Sequence, residues 1–260
     1  MRFEELSSRE VDRLDRDRTV MVLPLGSVEQ HGHHMPLGTD TMLAQAVALA
    51  AAKKLAGSVC VLPPPWYGFS AHHMRFAGSI SLRSETLMAV VEDIVTSITQ
   101  HGFKRILLVN GHGGNAGVVD VLSSFLGHKH YGKARIAGLT YFHLARQAIA
   151  RLRQSDTGGM GHACEFETAM LLHLRPELVA LDKAQVTYPD PGSPYLSTDL
   201  LGGSAVRTYL DFADLSSSGT LGDPSLATPG KGARFFAAVT DELADFLKDF
   251  SGWTLPPTRV

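Results

Sequence analysis

Cysteine and tryptophan are scarce in this 260-residue chain, two of each. Two thiols, Cys60 and Cys164, cannot staple a small secreted fold, so they read as buried thiols of an intracellular protein. Basic runs are also missing, and the formal net charge is −2, which excludes the basic stripe of a nucleic-acid surface. No apolar stretch approaches the ~20 residues that span a bilayer. The first residues, MRFEELSSREVDRLDRDR, are polar and charged, unlike a signal peptide or a membrane anchor. A G-x-S-x-G elbow is absent, and the glycines of NGHGGN lack the Lys-Ser/Thr of a P-loop. Covalent serine chemistry and nucleotide cradling both lose support. No internal repeat or linker marks a boundary, so residues 1–260 read as a single soluble, cytoplasmic domain.

What the chain does have is a 44% hydrophobic fraction arranged as alternating strand and helix patterns. Short β-branched runs over 19–26, 58–65, 104–110 and 134–141 read as buried strands. Helical periodicity occupies 39–55, 84–101, 116–126, 143–153, 165–174 and 229–248, with Gly102 as one stop signal. Strands separated by helices predict a mainly parallel sheet covered on both faces, a three-layer αβα arrangement. Residues 183–230, rich in Pro, Gly, Ser and Asp, are too long for an ordinary loop and too irregular to resolve into elements.

Ligands of parallel α/β sheets gather beyond the carboxyl ends of the strands. EQHGHHMPLGTD follows the first strand and NGHGGN the third, so Glu29, His31, Asp40 and His112 should meet at one edge. Taken alone, residues 29–40 suit a solvated loop equally well. The histidine set between glycines shifts the balance, because it has little packing reason to be there. Two acids and two imidazoles exceed the three protein ligands of an ordinary catalytic zinc and favour a pair of divalent ions sharing a carboxylate. Later, GGMGHACEFETAMLLHL places His162 before a helix whose first turn holds Glu165 and Glu167. Acids there are common for dipole reasons. Glu167, however, shares a face with Met170, Leu171 and Leu174, where a carboxylate needs a partner or a metal. Of His72 and His73, one is expected to line the pocket. His101, His128, His130, His143 and His173 read as helix-end or surface residues.

Taken together, PLGSVEQHGHHMPLGTDT, LLVNGHGGN and GHACEFETAM, over residues 20–174, resemble the creatininase (creatinine amidohydrolase) family. The resemblance implies a homo-oligomer, often a hexamer, hydrolysing an amide-type C–N bond of a small-molecule substrate; charge and hydropathy, as above, give no nucleic-acid or membrane partner. It implies a dinuclear zinc or manganese centre, with iron or cobalt as substitutes. Glu29 and His112 would hold one ion, His31 the other, with Asp40 bridging and His162 shuttling protons. His34 matches a recurrent family histidine that supports the site; His33 has no assigned role. Two departures stand out. Gly113 and Gly114 replace an aromatic residue and a metal-binding glutamate, so either the second site is weaker or its carboxylate comes from elsewhere, with Glu167 the candidate and Glu165 in reserve. The stretch before His162 also lacks the tryptophan expected to close over creatinine. The substrate is therefore expected to be another amide, such as a formamide or a peptide, or a sugar handled by a hydrolase or isomerase using the same centre. Arg75, Arg83, Lys231 and Arg234 are candidate contacts for a phosphate-bearing ligand.

Overall fold

The computed structural model describes residues 1–55 and 57–257. After a short helix α1 (Ser8–Asp12), strands β1 (Val20–Leu25), β2 (Val59–Val61), β3 (Arg105–Asn110) and β4 (Arg135–Thr140) form one parallel sheet in the order β2-β1-β3-β4. Helices α2 (Thr39–Lys53), α3 (Ser84–Gln100) and α4 (Ala116–Lys129) follow the first three strands. Beyond β4 come α5 (Tyr141–Leu144), α6 (Arg146–Leu152), a strand β5 (Met160–His162) and α7 (Glu165–Leu174). A one-turn helix α8 (Phe212–Leu215), a strand β6 (Leu221–Gly222) and the long α9 (Pro229–Ser251) complete the chain.

Alternation along β1 builds both cores, because successive side chains leave opposite faces of a strand. Val20 and Val22 pack with Leu43 and Val47 of α2, Phe166 and Met170 of α7, and Phe235 and Val239 of α9. Met21, Leu23 and Leu25 pack on the other face with Leu87 and Val91 of α3 and Val119 and Leu122 of α4. The expected αβα layering is therefore present, with every residue of β1 buried. Pairing of Leu25 with Asn110, and of Asn110 with Thr140, aligns three strand ends at one edge. The segments leaving those ends carry the candidate site.

Three differences from the sequence reading have local causes. The helix expected over 143–153 starts earlier and divides at Ala145, because Tyr141 and Phe142 turn into the core directly after β4. The irregular 183–230 stretch supplies α8 and β6, and β6 pairs antiparallel with β5. His130 sits at a helix end as expected, capping α4, and differs only in being buried, its Nε2 3.4 Å from Thr96 Oγ1. Among the described residues, no helix is long and apolar enough to cross a membrane.

Candidate metal centre

The loop from β1 to α2 closes on itself through the Glu29 N–H, which donates to the Leu37 carbonyl at 2.9 Å. It delivers Glu29 and His31, both fully buried, opposite Asp40 in the first turn of α2. After β3, the Asn110 side chain clamps the next turn. Its amide donates to the His112 carbonyl at 2.7 Å, and its oxygen accepts from the His112 N–H at 3.1 Å.

Each imidazole is oriented by a backbone carbonyl. His31 Nδ1 donates to the Glu29 carbonyl at 3.1 Å, and His112 Nε2 donates to the Phe69 carbonyl at 2.9 Å. The remaining nitrogens point at the two oxygens of one carboxylate. His31 Nε2 lies 3.1 Å from Asp40 Oδ1 and His112 Nδ1 lies 2.9 Å from Asp40 Oδ2. This carbonyl-fixed tautomer is the usual support of a metal-binding histidine.

Asp40 Oδ2 and Glu29 Oε1 are buried without a hydrogen-bond partner, even though His112 and His73 approach them closely. Unpaired buried carboxylate oxygens facing imidazole nitrogens call for a cation. The titration of the cluster gives the same answer. Burial works against charge on His31, yet Asp40, Glu167 and Glu29 push its pKa up to about 9. Burial likewise opposes charge on His112, and Glu29 and Asp40 outweigh it, raising that ring well above its ordinary value. Glu29 is held well below the carboxylate range despite burial, by His112 and His73. Glu167 is pushed up to about 7 by burial, with His31 opposing and Asp40 and Glu29 adding repulsion. A divalent ion would supply the positive charge that the imidazoles otherwise take up as protons, so the residues fit a metal.

Potential ligand atoms of His31, Asp40 and Glu167 lie within 4.8 Å of one another. Glu167 thus reaches the cluster from α7, and the Cys164 thiol donates to it at 3.7 Å. Glu29 Oε2 accepts from Ser70 Oγ at 2.5 Å, while Glu29 Oε1 faces His73 Nε2 at 3.1 Å and His162 Nδ1 at 3.7 Å.

His162 arrives by a different route. Strand β5 carries it in, and Ala163 then takes a left-handed φ of 51°, alone among the described non-glycine residues, before α7 begins. Such strained positions concentrate at functional sites. His162 Nε2 donates to the Gln30 carbonyl at 2.6 Å, which leaves Nδ1 bare toward Glu29. Burial, His31 and His73 hold its pKa well below the ordinary imidazole value.

Other expectations resolve unevenly. His34 stands behind the cluster, its Nε2 3.0 Å from Thr168 Oγ1, the neighbour of Glu167. Burial and His31 push the His34 pKa down to about 4. His73 lines the cavity, as does Gly113. Glu165 does not face it. It binds Lys231 Nζ at 2.8 Å and accepts from the N–H groups of Gln154 (3.0 Å) and Ser155 (2.8 Å). The reserve metal ligand is thus a structural counter-ion, and Lys231 is spent on it. Arg75 pairs with Asp211 and Asp214 outside the cavity, and neither Arg83 nor Arg234 lines it.

The cavity above the cluster encloses about 570 Å³. Its far wall comes from residues 196–212, which the sequence left unresolved, and includes Arg207 and Phe212. Helical or strand periodicity could not have found them. His72 also faces the cavity.

Buried acids and imidazoles converging at strand ends under such a cavity define a metal-dependent hydrolase. Residues 4–247 match the family model described as creatinine amidohydrolase, and the chain belongs to this creatininase family. The mycofactocin precursor peptide peptidase of Mycobacterium ulcerans (strain Agy99) is 33% identical over 260 residues, covering 97% of this chain and 93% of its own. Creatinine amidohydrolase of Pseudomonas putida is 28% identical over 268 residues, covering 98% and 97%. A solved structure of manganese creatininase superposes with a TM-score of 0.80 at 28% identity, covering 98% of this chain and 99% of its own.

Proposed function

We propose that the protein hydrolyses an amide C–N bond in a peptide or a substituted formamide, rather than in creatinine, with two divalent ions of the zinc or manganese kind. Glu29 and His112 would hold one ion, His31 and Glu167 the other, and Asp40 would bridge them. The observation that carries this reading is the convergence of two carbonyl-oriented imidazoles on the two oxygens of Asp40. When bound, such ions lower the pKa of water toward ~7 and polarise the substrate carbonyl.

The chain's own groups account for the proton traffic. His162 is neutral with Nδ1 bare, so it takes a proton as water adds to the amide carbon. It then returns that proton to the departing nitrogen as the C–N bond breaks, and with the second proton of the water passing to the same nitrogen the products are a carboxylate and a protonated amine. The Gln30 carbonyl keeps the Nε2 proton in place and fixes which nitrogen works.

Two features support a substrate other than creatinine. Neither Trp66 nor Trp253 lines the cavity, so no indole is available to cover a small flat ring. The cavity lining also contains Arg207, which forms no ion pair among the described residues. Arg207 is the only lysine or arginine among its lining residues, and the nearby Asp199 is neutralised by Arg153 at 2.7 Å. A free guanidinium suits a substrate with a carboxylate or phosphate end. The peptidase relative of Mycobacterium ulcerans supports the peptide arm of this reading.

The test is a panel of creatinine, N-formyl amino acids and short peptides, assayed with metal-loaded and chelator-stripped protein. Hydrolysis of a peptide or formamide that disappears on stripping and returns with zinc or manganese is the expected result. Creatinine as the fastest substrate, or undiminished turnover after stripping, would refute the proposal.

A further inference from the structure

His72 lines the cavity, and the metal and proton roles above give it no task, although its ring lies near enough to Glu29 and His112 to join them around a cation. Neither of its ring nitrogens has a hydrogen-bond partner among the described residues, whereas His31, His73, His112 and His162 each have at least one. Its ring is held by packing alone. It lies nearly parallel to His112 with centroids 5.6 Å apart, tilts against His73 at 4.3 Å, and meets Phe212 edge-on at 4.9 Å. A neutral imidazole in this position has one N–H donor and one bare nitrogen to offer the cavity.

The position of that ring depends on the glycine loop. A Cβ at Gly114 would lie 2.7 Å from His72 Cε1 and 2.4 Å from both the Phe69 carbonyl oxygen and His112 Nε2. Any side chain at 114 would have to displace the His72 ring. The missing side chain of the loop and the presence of His72 in the cavity are two sides of one arrangement.

We propose that His72 is a substrate-binding residue that uses the room left by Gly114 to hydrogen-bond the substrate beside the scissile amide. This rests on the amide-hydrolase reading above and adds a specificity element to it. An amide or peptide group presents one acceptor and one donor, which is what a neutral imidazole complements. Phe212 keeps the ring from turning away and packs against the His162 ring as well, with centroids 5.4 Å apart. The substrate-facing and proton-carrying imidazoles are thereby held by a common neighbour.

The decisive variants are His72→Phe, which keeps the ring packing and removes both nitrogens, and His72→Gln, which restores a donor and an acceptor. Each is measured in manganese-loaded protein for metal content, and for kcat and KM on the fastest-cleaved member of a panel of N-formyl amino acids and tripeptides. His72→Phe should retain wild-type metal content and kcat within about 3-fold while KM rises about 10-fold, the scale of one lost hydrogen bond. His72→Gln should recover most of that rise. Unchanged KM in His72→Phe, or equal values for both variants, would overturn the inference while the amide-hydrolase reading stands. Loss of metal in His72→Phe would overturn it by making His72 a ligand. If the Phe variant does not fold, the Gln variant still decides. A KM shifted more than about 10-fold from wild type despite restored polarity would contradict a hydrogen-bonding role. Wild-type protein that binds manganese and cleaves no panel member would overturn both the reading and the inference.

Discussion

The two walls of the cavity are built on opposite plans. The wall that carries the proposed metal ligands is drawn from the ends of β1 and β3 and the starts of α2 and α7; Glu29, His31, Asp40, His112 and Glu167 are all buried, and backbone carbonyls orient His31 and His112. The wall formed by residues 196–212 is half-buried to exposed, with Asp199 its one buried residue, and α8 is its only regular element among the described residues. Chemistry that needs ligands placed to fractions of an ångström has been put on the sheet. On the proposed reading, recognition falls to a segment whose sequence can change without disturbing the core.

The largest effect should come from breaking the rigid wall at its centre. Asp40→Ala removes the carboxylate facing both imidazoles, so metal affinity should fall by more than ~100-fold, beyond the loss typical of a supporting residue. Titration with cobalt(II), followed by its visible absorption, reads this directly. Next, His162→Ala should keep wild-type metal content and lower kcat by ~10²–10⁴-fold, the range of a lost acid–base group. If both variants lost metal alike, the division between ligands and proton carrier would be wrong.

Away from the cavity, the Glu165–Lys231 pair ties the start of α7 to the start of α9. Glu165→Gln should cost ~3–5 kcal/mol in urea unfolding at pH 7, because it leaves a buried ammonium without its counter-charge. Burial raises the Glu165 carboxyl, but Lys231 and the Ser155 and Gln154 N–H groups outweigh it and hold it below the ordinary 4.5. A depressed folded-state pKa makes this stabilisation complete above about pH 4.5 and lost as the pH falls through the folded value. Wild type and variant should therefore converge in stability only in acid. A gap that persisted unchanged there would contradict the assignment. The smallest effect belongs to the exposed wall. Arg207→Ala should raise KM about 2- to 5-fold for a carboxylate-bearing substrate, the scale of an exposed ion pair, and leave its neutral amide analogue unaffected.

The same contrast explains what could be read from the residues alone. Glu29, His31, Asp40 and His112 were legible because apolar strands of standard length end beside them, and parallel topology sends strand ends to one edge. Glu167 was legible because an acid on the apolar face of a helix needs a reason to be there. Glu165 was misjudged as a reserve ligand, since its partner Lys231 stands 66 residues away on another helix. Strand β5, three residues long with a glycine at its centre, carries no periodic signal, so the route that brings in His162 was not visible. Arg207 and Phe212 lie in a stretch whose conformation is set by turns and tertiary contacts, and no spacing rule links them to the strand ends they face.

On the proposed reading, two buried imidazoles and three buried acids exist to hold metal. Metal content of the purified protein, taken with turnover before and after chelation, tests it most directly. Two tightly held divalent ions per chain are predicted, with activity lost on their removal and regained with zinc or manganese. A chain that purifies without metal, binds none on titration and remains active would contradict it.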